Sequence, residues 1–504
     1  MSLKKNVIAN FLGQGWVALI GLAFVPLYIK YLGIEAYGLI GIFVLLQTWL
    51  VLLDMGMSPT LNREVARNAA GAGSSESICD LVHSFEIICV GIAFLIALAM
   101  AFASDWLAHN WLNAEELSGS VVSQALSIMG LVAALRFVEG LYRGAILGLQ
   151  MHVWLNVVTS ALATIRAVGA VAVLYWVESS IQAFFWWQAF VSGITLVVLY
   201  IGVHRNLPII SRPAVFSTKA FSNAWKFAGG VFATTFLSLI LTQVDKVILS
   251  KLLTLEAFGT YTFAAAVAGV LFQLIGPIAQ SYYPKLTELV ATGDSLALST
   301  AYHRGAQLMT IMLAPAGLLL IAYGQSILFG WTGNEQLAEN ASAIVAILAV
   351  GTIMNGWMHI PYMLQLAAGW SALAVWTNLA ATIMLVPAIL WVTPLYGPVG
   401  AAWIWVVINA GYVLFGVHFM YARLLPREKA AWYFRDLLAP TLSAAAVIGV
   451  SFFLHPSTFG RLGDLIWVAG CGFVACIAAV LGASEYRHHL FELFAKRMQT
   501  STNL

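Results

Sequence analysis

The stretch TQVDKVILSKLLTLEAFGTY, residues 242–261, closes a long apolar run and carries charged residues inside it. Its second half, KLLTLEAFG at 251–259, matches KYLGIEAYG at 30–38, with Lys, Glu, Ala, an aromatic residue and Gly at the same offsets. A fainter pair follows each copy, PTLN at 59–62 and PKLT at 284–287. Two matches in the same order indicate an internal duplication.

The composition is that of a membrane protein. Of 504 residues, 61% are hydrophobic and 9% are charged, with a mean hydropathy of +0.88, whereas a soluble protein has about 25% charged residues. Apolar runs long enough to cross a bilayer recur along the whole chain. The net charge of +2 gives no case for nucleic acid as a partner. The basic N-terminus has no small-residue cleavage site, so we expect the first run to be retained as a helix.

Hydropathy predicts an all-α polytopic membrane protein with about fourteen transmembrane helices. The weakest span is the fourth, because it carries three charged residues. The predicted spans are 7–29, 36–57, 81–103, 120–143, 153–175, 181–203, 227–249, 258–281, 304–325, 342–363, 371–392, 398–420, 434–454 and 465–483.

The distribution of basic residues predicts the orientation. With the N-terminus in the cytoplasm, seventeen of the 24 lysine and arginine residues fall in cytoplasmic loops and tails. Three fall in outer loops, namely Lys30, Lys251 and Arg461. Positive residues concentrate on the cytoplasmic side of membrane proteins. This alternation therefore favours fourteen spans and two cytoplasmic termini.

Spans 1 and 7 both start inside, so the duplication is parallel and predicts two pseudo-symmetric six-helix lobes. We expect an N-lobe with spans 1–6 at 1–204 and a basic cytoplasmic linker at 205–226. A C-lobe with spans 7–12 follows at 227–421, and the segment 422–504 adds a C-terminal helix pair and a cytoplasmic tail. Many transporters with this layout carry the substrate between their two halves.

Charged residues within spans are costly, and each is a candidate for function. Arg136, Glu139 and Arg143 lie on one face of span 4, two cations around one anion, and Arg166 lies near mid-membrane in span 5. The functional interpretation is a cavity wall that receives an anionic group. The alternative is structural, with Glu139 neutralising its neighbours and Arg143 reaching the interface.

Four further polar positions carry weaker predictions. Asp245 and Lys246 are adjacent, about 100° apart on a helix, so we expect them not to face each other as a pair. Lys246 is a candidate cavity cation that can equally reach the interface, while Asp245 and Asp54 join Glu139 as candidate ion-coupling carboxylates. Asp54 can alternatively form a helix-end ion pair with Arg63 or Arg67, which follow in the loop. On span 10, His359 lies near Asn355 and Gln365, where a packing role is the commoner one.

Several function classes lack their signatures in this sequence. There is no paired-carboxylate motif in an outer loop, no Walker A pattern and no repeated filter loop. The four cysteines show no metal spacing. We therefore expect no catalytic residues, no metal and no cofactor, and a secondary transporter or flippase instead of an enzyme.

Five stretches carry a family resemblance, spread over spans 1–2, 7–8 and 10–12. They are PLYIKYLGIEAYG (26–38), DMGMSPTLNREVAR (54–67), TQVDKVILSKLLTLEAFGTYTFA (242–264), QLAAGWSALAVWTNL (365–379) and LYGPVGAAWIWV (395–406). In these the chain resembles the Wzx-type polysaccharide flippases of the multidrug/oligosaccharidyl-lipid/polysaccharide exporter superfamily. Its span count departs from the usual twelve and is similar to the lipid II flippase branch.

The resemblance implies a multi-pass protein of the bacterial inner membrane. It implies a flippase that moves undecaprenyl-diphosphate-linked oligosaccharide, a polysaccharide repeat unit, from the cytoplasmic to the outer leaflet by ion-coupled alternating access. The implied partners are this lipid-linked substrate, membrane lipids, a polysaccharide polymerase and chain-length machinery, with the chain itself a monomer. The alternatives are a lipid II-type flippase or a drug/cation antiporter of the same superfamily.

Overall fold

The structure is a computed structural model that describes residues 3–69, 74–217, 236, 239–240, 242–455 and 460–487, with the side chains of residues 3–11 left aside. Three predicted segments fall wholly or partly outside these ranges. They are the end of the linker at 218–226, most of span 7 and the tail at 488–504. Contacts divide the chain into two compact units, Met1–Gly259 and Thr260–Leu504.

The first unit consists of helices joined by short loops. Polar side chains begin two of them, since Ser74 accepts a hydrogen bond from the Ser77 amide and Ser180 accepts one from the Ala183 amide. The helices are α1 (Leu3–Ala23), α2 (Val25–Leu32), α3 (Ile34–Leu50), α4 (Met57–Ala69), α5 (Ser75–Trp106), α6 (Gly119–Gly148), α7 (His152–Trp176), α8 (Ile181–His204) and α9 (242–252).

The second unit begins within α10 and is also helical. Asp294 and Asn334 begin two of its helices, where each side chain accepts a hydrogen bond from a backbone amide, that of Ala297 and that of Leu337. The helices are α10 (Leu255–Gly269), α11 (Phe272–Thr292), α12 (Ser295–Thr332), α13 (Glu335–Trp357), α14 (His359–Ala367), α15 (Ala372–Gly411), α16 (Val417–Leu424), α17 (Lys429–Ala431), α18 (Ala439–Phe453) and α19 (Arg461–Gly482).

Twelve helical segments in the described ranges are long and apolar enough to cross a membrane. One of them, Ala372–Leu424, has 53 residues, about 80 Å of helix against a bilayer core of about 30 Å. Gly397 breaks it with a φ of 59° and a ψ of −147°, which is where predicted spans 11 and 12 meet. The prediction of an all-α polytopic membrane protein is confirmed, whereas fourteen spans and cytoplasmic termini stay predictions.

The two copies of the repeat touch through their glycines. A methyl group added to Gly38 would lie 2.4 Å from the Leu255 carbonyl oxygen, and one added to Gly259 would lie 2.3 Å from the Ile34 carbonyl oxygen. Ile34 and Leu255 occupy the same position in the two copies, as do Gly38 and Gly259. Such reciprocal contact is what a local twofold axis produces, and it requires residues without a side chain.

The loop after α5 binds the second copy. The Asn113 carbonyl accepts a hydrogen bond from the Leu255 amide at 2.8 Å, and the Asn113 amide group donates to the Lys251 carbonyl at 3.1 Å. Trp111 donates to Ser250 at 3.1 Å, and Lys251 donates to the Asn110 carbonyl. These contacts place residues 242–259 with the first unit, while the predicted lobe boundary at 205–226 stays a prediction.

The same loop is held to the first copy by a buried carboxylate. Glu35 is 1% exposed and accepts hydrogen bonds from the amides of Glu115, Glu116 and Leu117 at 2.6, 2.8 and 3.0 Å. Three backbone donors satisfy a charge that would otherwise be costly to bury. The glutamate that both repeat copies share therefore has a structural role in the first copy, where it holds the loop.

The described part of the linker lies along the start of α5. Arg212 forms a two-pronged contact with Asp80 at 3.0 and 2.6 Å, and the Val215 amide donates to Asp80 at 2.9 Å. The Asp80 carboxylate raises the pKa of the Arg212 guanidinium. The linker is thus attached to the first unit by a specific ion pair.

Candidate functional site

Arg136 of α6 is held entirely by neutral groups. Its guanidinium donates to Gln47 Oε1 and Gln188 Oε1, both at 2.9 Å, and to Ser192 Oγ at 3.4 Å. It also lies over the Phe43 ring, 5.0 Å from the centroid. Among the described residues no carboxylate lies within ion-pair distance of Arg136. Its orientation is therefore fixed while its charge stays uncompensated.

Glu139 is shared between two other arginines. Its side chain is 4% exposed, and its two oxygens lie 3.7 Å from Arg143 Nη2 and 3.9 Å from Arg166 Nη2. The structural alternative in the sequence, a Glu139 partner for Arg166, is thus present. It neutralises one of three cations, so the cluster formed by Arg136, Glu139, Arg143 and Arg166 keeps a net formal charge of two positive units.

Arg166 is brought to the cluster by the packing of α7 against α8. Its Nη2 lies 3.5 Å from Ser192 Oγ and 3.4 Å from Thr195 Oγ1, and its backbone carbonyl accepts from Trp187 Nε1 at 3.1 Å. The Glu139 and Arg166 groups also keep atoms unpaired, since Glu139 Oε1 and Arg166 Nε are buried without a hydrogen bond. Orphaned buried polar atoms point to a missing ligand or water.

The polar face of α8 was not predicted from the sequence. Gln188, Ser192 and Thr195 are spaced four and three residues apart, which places them on one helix face. All three are at most 5% exposed, and they contact the two arginines. That spacing inside an otherwise apolar span was the available signal.

One sequence expectation is wrong. Lys246 Nζ lies 3.6 Å from Asp245 Oδ1, so the neighbours do form an ion pair, and Lys246 also donates to the Thr242 carbonyl at 3.1 Å. The four-carbon lysine stem is long enough to bend back across the 100° between adjacent helix positions. Within the described residues, neither side chain is bonded to the arginine cluster.

Asp54 has a local structural contact. Both of its oxygens accept from the Ser58 amide, at 3.1 and 3.2 Å, and one accepts from the Ser58 hydroxyl at 2.6 Å. The predicted partners Arg63 and Arg67 pair instead with Glu64, at 2.5 and 3.2 Å. Asp54 therefore caps the start of α4, and it too lies outside the bonded arginine cluster.

A second buried polar cluster lies in the other unit. His303 of α12 is hydrogen-bonded to Asp436 through Nδ1 and to Glu428 through Nε2 at 3.1 Å. Gln307 donates to Asp436 at 2.7 Å and accepts from the Glu485 amide at 3.0 Å. No sequence pattern pointed to this cluster, because His303 and Gln307 lie more than a hundred residues before Glu428 and Asp436.

In the part of the chain that the structure covers, no group of three or more His, Cys, Asp or Glu side chains is arranged to hold a metal ion. Among the described residues, the arginine cluster places three cations and one carboxylate within two candidate membrane spans. Its chemistry is that of an anion site: fixed guanidinium forks, neutral hydroxyl and amide donors and acceptors, and one buried counter-carboxylate.

Residues 3–290, more than half of the chain, match the family model described as polysaccharide biosynthesis protein. The chain belongs to that family. The "Putative O-antigen transporter" of Shigella flexneri is 22% identical over 407 residues, which cover 80% of this chain and 94% of that protein. The resemblance seen in the sequence motifs is confirmed.

Solved structures show the same fold. "Lipid II flippase MurJ, inward closed conformation" matches with a TM-score of 0.70 at 14% identity, over 94% of this chain and 98% of that one. A multidrug resistance MATE family transporter of the MOP superfamily, in an inward-facing conformation, matches with a TM-score of 0.65 at 13% identity, over 81% and 94% of the two chains.

These findings confirm the broad predictions. The chain is a multi-pass protein of the bacterial inner membrane with the fold of a transporter superfamily. Its relatives are transporters and flippases and not enzymes. The family match supports a role in polysaccharide biosynthesis as its general function.

Proposed function

We propose that this protein flips an undecaprenyl-diphosphate-linked oligosaccharide from the cytoplasmic to the outer leaflet. The observation that carries the proposal is the arginine cluster, with three cations and one carboxylate inside the membrane spans of the first unit. A diphosphate brings two or more negative charges that must leave water. Arginine forks bind phosphate oxygens in pairs and stay charged when buried.

Arg136 has the central role in this proposal. Three neutral side chains hold its guanidinium in place, so a phosphate meets a preorganised cation and displaces no carboxylate. Arg143 and Arg166 then provide the second cationic position, with Glu139 between them. Lys246 lies apart from this network and is paired with Asp245, so in our proposal it does not bind the diphosphate.

We further propose that the transport cycle is one of alternating access. The contact between Gly38 and Gly259 lies, by the predicted topology, at the outer side of the membrane. Residues 110–117 reinforce it through the two repeat copies. The release of a substrate to the outer leaflet requires this contact to separate.

Ion coupling belongs at Glu139 in this proposal. It is the one predicted coupling carboxylate that lies against the proposed diphosphate site, so its protonation would alter the charge that the substrate meets. Asp54 caps a helix, and Asp245 pairs with Lys246. Association with a polysaccharide polymerase or chain-length machinery, and the monomeric state, stay predictions.

A lipid II-type flippase is the second candidate, favoured by the fold match to such a flippase at a TM-score of 0.70. Both candidates need the same diphosphate site and differ in the glycan. The drug/cation antiporter is less favoured, because a cation would meet a site with a net positive charge.

The test replaces Arg136 by Gln or by Lys in the native bacterium. We expect Arg136→Gln to abolish surface polysaccharide while the protein still reaches the membrane at the wild-type level. We expect Arg136→Lys to keep partial export, since it retains the charge and loses the fork. Wild-type surface polymer with Arg136→Gln would contradict the proposed site.

A further inference from the structure

The second unit contains a pocket whose lining has no carboxylate, lysine or arginine side chain. It lies between α13–α14 and α15–α16 and has a volume of about 160 Å³. Since one water molecule needs about 15 Å³ of such space, the pocket has room for a ligand of many atoms. Seven polar side chains line it: Asn355, His359, Tyr362, Gln365, Thr377, Asn378 and Tyr412.

Gln365, one of the lining residues, has an unsatisfied amide oxygen. The residue is 4% exposed, and its Oε1 atom is buried without a hydrogen bond. Leaving a buried amide oxygen unsatisfied costs about as much as a lost hydrogen bond. Because Gln365 lines the pocket, its amide group is a candidate partner for a ligand bound there.

The remaining groups are held in place and keep capacity for further bonds. Tyr412 donates to Asn378 Oδ1 at 2.9 Å, which leaves the Asn378 amino group as a donor. Asn355 donates to Asn409 at 2.9 Å and keeps its own oxygen as an acceptor. His359 Nδ1 donates to the Asn355 carbonyl at 3.0 Å, so its Nε2 is an acceptor.

This set identifies the class of ligand. Fixed neutral donors and acceptors in alternation suit hydroxyl groups, each of which donates one bond and accepts others. The rings of Tyr362 and Tyr412 supply apolar faces in the same pocket. Neither a carboxylate nor a lysine or arginine lines it, so the pocket offers no counter-charge to an ionised ligand.

We propose that this pocket binds one neutral sugar ring of the lipid-linked substrate. The proposal rests on the proposed function, and assigns the glycan and the diphosphate to separate residues. By the predicted topology the pocket lies in the cytoplasmic half of the membrane, on the side where the substrate is loaded. The pocket therefore contributes to recognition of the glycan, and the arginine cluster contributes to affinity for any diphosphate lipid.

The experiment measures two affinities on the full chain in lipid nanodiscs by native mass spectrometry. The probes are undecaprenyl diphosphate and undecaprenyl-diphosphate-linked N-acetylglucosamine. We expect the wild type to bind the sugar-bearing probe about tenfold more tightly, the equivalent of one or two good hydrogen bonds. Gln365→Leu and Asn378→Leu should each reduce this ratio to threefold or less and leave the affinity for undecaprenyl diphosphate unchanged.

Controls separate the two proposals. Thr382→Val, one helical turn beyond Asn378 and outside the lining, should keep the tenfold ratio. Arg136→Gln should weaken the binding of both probes by the same factor. Unchanged binding of both probes in this variant would count against the proposed function alone. A third variant, Thr377→Cys, keeps the test valid if a leucine variant misfolds. Alkylation of this cysteine should be slowed by the sugar-bearing probe and unaffected by undecaprenyl diphosphate.

Two results would overturn the sugar pocket. One is an unchanged ratio in both leucine variants with equal alkylation under both probes. The other is a sodium-dependent rise in thermal stability that Gln365→Leu abolishes while the sugar ratio stays tenfold, which would identify an ion site instead.

Discussion

The contact between the two repeat copies allows a quantitative prediction. In Gly38→Ala the new methyl carbon would lie 2.4 Å from the Leu255 carbonyl oxygen, against an ordinary contact of 3.4 Å or more, so the backbones must separate by about 1 Å. Overpacking of this kind costs about 1–3 kcal/mol. We therefore expect a shift between two populations, molecules in which the two repeat copies are apart and molecules in which they touch. The ratio of the first to the second should rise by a factor of about 5 to 150.

The assay is a distance measurement between spin labels at Lys30→Cys and Glu256→Cys, in a background without the four native cysteines. Gly38→Ala and Gly259→Ala should both increase the population at longer distance. Gly21→Ala is the matched control, because a methyl group there meets nothing within 4 Å. The double variant should add little to either single one, since either methyl group already separates the same backbones.

An unchanged distance distribution in folded Gly38→Ala protein would refute this reasoning. It would mean that the two copies do not rest on each other through these glycines in the membrane. Additive effects of the two substitutions would contradict the reciprocal contact in particular.

Three further outcomes are expected. Glu35→Ala leaves three amides without an acceptor and should lower the free energy of unfolding, measured by detergent denaturation, by about 3 kcal/mol or more. Glu35→Gln should lower it by less. Glu139→Gln removes the counter-charge of two arginines and should tighten binding of undecaprenyl diphosphate about tenfold; unaltered or weaker binding in nanodiscs would count against the electrostatic account. Asp436→Leu strands the donors of His303 and Gln307 and should cost about 2–4 kcal/mol, while Arg435→Leu at the exposed rim should cost under about 1 kcal/mol.

Much of the fold was predictable because a bilayer imposes length and polarity on each span. Apolar runs located the helices, and the duplicated stretch located a hairpin whose two copies meet in the structure at Gly38 and Gly259. The division between spans 11 and 12 also appears, at Gly397. The helix resumes directly after Gly397, so the segment Ala372–Leu424 counts once although it contains two predicted spans.

The site was predictable only where its members share one helix. Arg136, Glu139 and Arg143 follow helical spacing, so their common face could be inferred. The acceptors on α8 could not be assigned to Arg136, because helix packing and not chain order brings Gln188 to it. The same holds for His303 and Asp436, which are separated by 133 positions.

The ion pair of Asp245 and Lys246 shows a different limit. Helix geometry gives the direction in which a side chain leaves the backbone, and that argument suggested no contact. It does not give the reach of a flexible lysine, whose Nζ returns to 3.6 Å from its neighbour. The contacts of long, flexible side chains therefore cannot be predicted from helix geometry alone.

The most direct test of the central claim is lipid flipping by the purified chain in proteoliposomes. Fluorescent undecaprenyl-diphosphate-linked saccharide would be placed in one leaflet, and its appearance in the other would be followed by chemical quenching. We predict flipping by the wild-type protein, its loss in Arg136→Gln and partial retention in Arg136→Lys. Equal flipping by the wild type and Arg136→Gln would contradict a diphosphate site built on this arginine.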